Sequence, residues 1–174
     1  MSMKTSAQIQ IAKPAAEVFR WLIEPAKLTA WAGGAGVMPA DPSELHSGFE
    51  ASGPIPALAG DAHMRIENWN PPLGFAVTMT YAGGDATTTY ALSESGGTTT
   101  LACSSDSDWG KPDLSEIDKQ AALQSPEIQA AMHHAIDLMN QQVAAGAFDA
   151  TAQQGMQAAL EASLAKLKQL AEAG

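Results

Sequence analysis

The sequence predicts an α+β domain, an antiparallel sheet with helices on one face. Three observations carry this. Apolar residues alternate near the start, two short helical segments end at Trp31, and a run of strands is followed by a lone amphipathic helix at the C-terminus. Strands in succession, flanked by helices, build that layered arrangement, and a sheet with one covered face leaves room for a cavity under the cover.

Residues Thr5–Ile11 place Ile9 and Ile11 on one face, the period of a half-buried strand. Pro14 suits a first helical position, and Val18, Phe19 and Leu22 turn one face of Ala15–Leu22 inward. Pro25 breaks that helix. A second one, Ala26–Trp31, ends at Gly33, Gly34 and Gly36. The stretch from Ala32 to Gly60 is rich in Gly, Pro and Ser and is predicted as loops around a short strand near Gly48–Ser52.

From Ala62 the strands are clearer. Ala62–Trp69 leads through the turn Asn70, Pro71 and Pro72 into Leu73–Tyr81, where Leu73, Phe75, Val77, Met79 and Tyr81 alternate with Gly74, Ala76, Thr78 and Thr80. Glycine pairs at 83–84 and 96–97 close hairpins to Thr87–Ser93 and Thr98–Ser105, which completes an antiparallel meander. Asp113 with Glu116 resembles a capping box, and Ser125 with Pro126 starts a further helix whose stripe is Ile128, Met132, Ile136, Met139 and Val143, stopped at Gly146. The last helix, Ala150–Ala173, carries Met156, Leu160, Leu164, Leu167 and Leu170 on one side, with Lys166 and Lys168 placed to favour its dipole.

Composition narrows the function. At 174 residues one domain is expected, since chains of about 150 residues already bury roughly 68–70% of their unfolded surface. Nine Lys and Arg against 19 Asp and Glu give a net charge of −10, and no basic run offsets it, so nucleic acid and anionic membrane surfaces are excluded as partners. No apolar run approaches the roughly 20 residues of a membrane span. The first thirteen residues lack the apolar core of a secretory signal, which predicts a soluble, cytoplasmic protein. The single cysteine, Cys103, rules out an internal disulfide and a cysteine metal cage and is expected in the core.

The segment from Ile11 through Pro14, Val18, Phe19, Leu22 and Pro25 to Trp31 resembles the opening of the START-like, or SRPBCC, superfamily, which includes polyketide cyclases and birch-pollen-allergen-like proteins. The turn at Asn70–Leu73 is similar to that superfamily's mid-sheet turn. The helix from Gly155 to Leu170 is similar to its terminal helix, most of all in the branch of heat-shock-protein ATPase activators, where Trp usually stands in place of Met156. The resemblance implies a helix-grip fold, a curved antiparallel sheet wrapped around the C-terminal helix with an apolar pocket between them. It does not extend over 111–148, a helical insertion expected to be a lid over the pocket, an extension of the core, or a dimer interface. Met132 and Met139 would make a lid adaptable.

The chemistry rests on few residues. His63, Arg65 and Glu67 share a strand face opposite Met64 and Ile66, and since the apolar pair needs burial the charged trio is expected in solvent. His133 and His134 point about 100° apart on a helix, leaving His133 and Asp137 two metal ligands at most. Asp106 to Gly110 fails as a calcium loop because its glycine comes one residue early and Ile117 holds the twelfth position, so a solvated loop is expected there, with Trp109 against the lid. No hydrolase elbow, phosphate loop or dinucleotide fingerprint is present. Neither a metal nor a cofactor is expected.

The leading expectation is therefore a binding protein for a small apolar or aromatic ligand. Its wall is predicted from Phe75, Val77, Met79, Tyr81, Tyr90 and Leu92, with Met156 and Leu160 from the terminal helix and Met132 and Met139 from the lid. Two other readings stay open: a cyclase or proton-transfer enzyme using Tyr81, Tyr90 or the His63 face, and a protein-interaction module resembling the ATPase activators, acting through a protein partner or a homodimer.

Overall fold

The computed structural model describes residues 2–54, 61–81, 84–109, 125–144 and 147–174, with the side chains at 109, 132, 135–136, 139–140 and 142–149 outside that description. The elements run β1 (Ser2–Ile11), α1 (Ala15–Ile23), α2 (Pro25–Ala32), a 3-10 turn at Pro42–Glu44, β2 (Glu50–Pro54), β3 (Asp61–Asn70), β4 (Gly74–Tyr81), β5 (Gly84–Ser95), β6 (Thr98–Trp109), α3 (Pro126–Ala144) and α4 (Ala147–Ala173). The six strands form one antiparallel, curved sheet in the order β1-β6-β5-β4-β3-β2. The long C-terminal helix lies against it, which is the helix-grip arrangement.

Helix α1 begins where Pro14 fixes an extended φ, and the free N–H of Ala15 donates to Glu94 of β5 at 2.8 Å. A carboxylate there meets the positive end of the helix dipole. Val18, Phe19 and Leu22 bury as the spacing requires, Leu28 and Trp31 follow from α2, and Gly33 ends α2 in the left-handed conformation. These side chains meet Leu164, Leu167 and Ala171 of α4 and Ile11, Met64, Ile66, Phe75, Leu92 and Leu101 of the sheet in one core.

Helix α4 runs beside β1, one edge of the sheet among the described residues. Its polar side chains take up the backbone groups that edge presents. Gln157 bonds both the N–H and the C=O of Ser6, Lys168 donates to the C=O of Gln10 at 2.6 Å, and Glu172 accepts from the N–H of Ala12 at 2.8 Å. Lys168, expected to serve the dipole, instead bridges to β1 and pairs with Glu172.

Several boundaries differ from expectation. Leu73 belongs to the turn, is 51% exposed, and bonds through its N–H to the C=O of Asn70, so β4 starts at Gly74. Asp106, Ser107, Asp108 and Trp109 extend β6 rather than forming a loop, because β1 and β5 pair with it along that whole length. The outward Asp106 is held by Lys4 of β1 at 2.7 Å. Helix α4 starts at Ala147, while the expected helix start at Asp113 and the stop at Gly146 lie outside the described residues.

Candidate functional site

The site is built by strand register. Residues paired across an antiparallel ladder share a face, and their Cβ atoms stand about 4.5–5.5 Å apart. On the helix-facing side the ladder sets Ile9, Leu101 and Leu92 in one row. Next come Ala7, Cys103, Tyr90 and Phe75, then Thr5, Ser105, Thr88 and Val77, then Met3, Ser107, Ala86 and Met79. Tyr81, opposite Gly84, stands beyond them at the end of the β4–β5 hairpin.

One end of this face is sealed. Phe75 is 2% exposed, with its ring 5.6 Å from Phe19, 5.5 Å from Trp69 and 5.1 Å from Tyr90, and Leu92 closes beside it. Trp69 reaches this cluster because β3 carries a bulge between Glu67 and Asn70, with Asn68 at φ +52°. The extra residue reverses the alternation, and a side chain in phase with the charged trio turns inward. Toward the other end Val77, Met79, Tyr81 and Tyr90 stay half-buried although they face the interior. Met156 and Leu160, in the half of α4 that crosses Ser6, are half-buried too, whereas Leu164 and Leu167 beyond them are sealed. The helix-facing surface thus passes from solid core to a half-open stretch over β4, β5 and the first half of α4, while Met3, Thr5 and Ser107 on β1 and β6 and Met64 on β3 stay buried beside it.

The titratable groups on this wall are few. Burial raises Tyr81, with Asp85 adding to it, and raises Tyr90 far above the ordinary phenol range. Tyr90 keeps some surface as a residue, while its hydroxyl sits deep enough for that desolvation to dominate. Burial also pushes the Cys103 thiol up to about 12. All three are therefore neutral at pH 7.

Of the ten expected wall residues, the structure gathers Phe75, Val77, Met79, Tyr81, Tyr90 and Leu92 on one sheet face and puts Met156 and Leu160 on α4. Phe75 and Leu92 are packing residues rather than accessible wall. Met132 and Met139 lie on α3, and their side chains are outside the described residues. Tyr90 sits in mid-strand opposite Phe75. His63, Arg65 and Glu67 face solvent on the opposite side, where His63 meets Ser52 at 2.8 Å and Arg65 lies 3.3 Å from Glu67. His133 and His134 are exposed, and among the described residues no three His, Cys, Asp or Glu side chains converge on a metal position. An open groove of about 320 Å³ lies mainly on the outer sheet face over Ala91 and Ala102, where small side chains leave the backbone bare.

The sequence reading missed the hydroxyl row Thr5, Ser105 and Thr88. Its signal was present: Ser105 continues the phase of Leu101 and Cys103, and Thr88 that of Tyr90 and Leu92. No helix among the described residues is long and apolar enough to cross a membrane.

No family model matches the chain, and no curated protein matches it in sequence. Solved structures do match. The solution structure of Bacillus halodurans protein BH1534 shares 15% identity at a TM-score of 0.59, covering 97% of this chain and 96% of its own. Chromobacterium violaceum CV1439 shares 16% at 0.56, covering 97% and 96%. Mesorhizobium loti MLL2253 shares 14% at 0.56, covering 96% and 95%. At such identities the likeness is one of fold, and it spans nearly the whole of each chain.

Proposed function

We propose that this protein binds a small apolar or aromatic molecule between its sheet and its C-terminal helix. One observation carries the reading: Val77, Met79, Tyr81, Tyr90, Met156 and Leu160 face the interior and yet remain half-buried, while their neighbours Phe75, Leu92, Leu164 and Leu167 are sealed. A core packed for stability alone would close this end as tightly as the other, because interiors pack to crystal-like density. An apolar wall with a few polar groups is the common form of a small-molecule site. Proton-transfer catalysis is less well served, since the titratable groups on the wall are all pushed away from neutrality.

The test is native mass spectrometry of the purified protein before and after organic extraction, followed by thermal melting with aromatic and aliphatic compounds. A ligand that co-purifies, or one that raises Tm in proportion to its saturation, supports the reading. A clean mass together with an unmoved Tm across the whole set overturns it.

A further inference from the structure

The half-open wall is not uniformly apolar. Thr5 pairs with Ser105 and Ser105 with Thr88, so three hydroxyls stand side by side on the helix-facing surface of β1, β6 and β5. Tyr90 follows Thr88 by two residues on the same face. Burying a hydroxyl without a partner costs free energy, so such groups normally find one. Here they do not. Thr5 is 6% exposed and, among the described residues, its hydroxyl makes no hydrogen bond; the Tyr90 hydroxyl also makes none. Thr88 reaches Ser105 only at 3.4 Å, the outer limit of such a bond. By contrast Thr99, buried at the sealed end, donates to the C=O of Lys13 at 2.7 Å, while Ser107, two residues beyond Ser105 and also buried, reaches the C=O of Met3 only at 3.4 Å.

We propose that Thr5, Ser105, Thr88 and the Tyr90 phenol form the polar anchor of the cavity, and that the ligand is a neutral molecule bearing a hydroxyl or carbonyl oxygen on an apolar skeleton. This rests on the binding reading above and adds the ligand's chemistry to it. The ligand is neutral because, among the described residues, the helix-facing positions around this row on β1 and β3–β6 hold no charged side chain; the charge on that sheet face, Glu94 of β5, lies at the sealed end on the N–H of Ala15. An ionised carboxylate would be desolvated there with no counter-charge, a heavy penalty. A hydroxyl or carbonyl is satisfied instead, since the row offers donors and acceptors together.

Three probes of one skeleton test this: naphthalene, 2-naphthol and 2-naphthoate, measured by equilibrium dialysis at pH 7 against the full chain and against Tyr90→Phe and Thr5→Val. Wild type is expected to bind 2-naphthol about five- to tenfold more tightly than naphthalene, the effect of roughly one net hydrogen bond, with 2-naphthoate weakest. At least one variant should bring 2-naphthol down to naphthalene's affinity while leaving naphthalene unchanged, which a misfolded variant would not do. Equal wild-type binding of naphthalene and 2-naphthol overturns the anchor and leaves the cavity standing. A preference for 2-naphthoate overturns the neutral-ligand assignment. Binding of none of the three overturns both the anchor and the cavity.

Discussion

Gln157 and Ser6 exchange two hydrogen bonds, the side-chain amide of a helix pairing with the backbone of a strand 151 residues away. The Ser6 N–H donates to Oε1 at 3.1 Å, and Nε2 donates to the Ser6 C=O at 2.8 Å. The primary amide carries the same donor and acceptor as a peptide unit, so it satisfies the β1 edge as a further strand would.

Replacing that amide should loosen the edge. Gln157→Ala is expected to lower unfolding stability by about 1 kcal/mol, because the freed backbone groups regain water. Gln157→Glu should do more harm at pH 7, where a carboxylate meets the Ser6 carbonyl and Glu161, whose Oε1 now accepts from Gln157 at 2.7 Å. Urea titrations at pH 7 and pH 4 check this: the deficit of Gln157→Glu should shrink on acidification, and an equal deficit at both values would contradict it.

Glu172 links stability to pH. The N–H of Ala12 is the main cause that holds its carboxyl below the ordinary range, against an opposing effect of burial and with Lys168 and Lys13 assisting. A carboxyl with a depressed folded pKa contributes stability that is complete above its unfolded value, about 4.3, and is lost as pH falls through the lower folded value. Glu172→Gln should therefore be less stable than wild type at pH 7, and the gap should close toward pH 3. A gap independent of pH would assign the contribution to something other than the charge.

Gly74 has no room for a side chain. Its φ is +151°, and a Cβ would lie 2.2 Å from the backbone oxygen of Tyr90. Gly74→Ala should cost roughly 2–4 kcal/mol through strain and displacement of β5. Gly34→Ala, with nothing within 4 Å, is the control and should stay close to wild type. Comparable losses at both positions would mean that the clash is relieved without cost.

Much of the fold was legible because period carries it. The alternation of Phe75, Val77, Met79 and Tyr81, and the one-turn spacing of Val18 and Leu22, put each residue on the face the structure shows. The misreadings share a physical cause. Leu73 fits the alternation, but the turn formed with Asn70 overrides it. Asp106 to Asp108 have turn-forming composition, but pairing on both sides keeps them extended. Trp69 turns inward through a bulge that no periodic pattern contains. Of the proposed site, the apolar half was visible from phase, while the hydroxyl row was not, because Ser and Thr in an alternating strand are usually taken for the wet face.

The bonds from α4 to β1 also fix an order of events during synthesis. Ser6, Gln10 and Ala12 leave the ribosome some 150 residues before their partners Gln157, Lys168 and Glu172. Even the neighbouring strand β6 arrives only after about a hundred residues. Until then β1 is a bare template, able to pair with any other extended segment. Helix α4 is thus the latch that withdraws β1 from such pairing, and chains released without it should be the ones that aggregate.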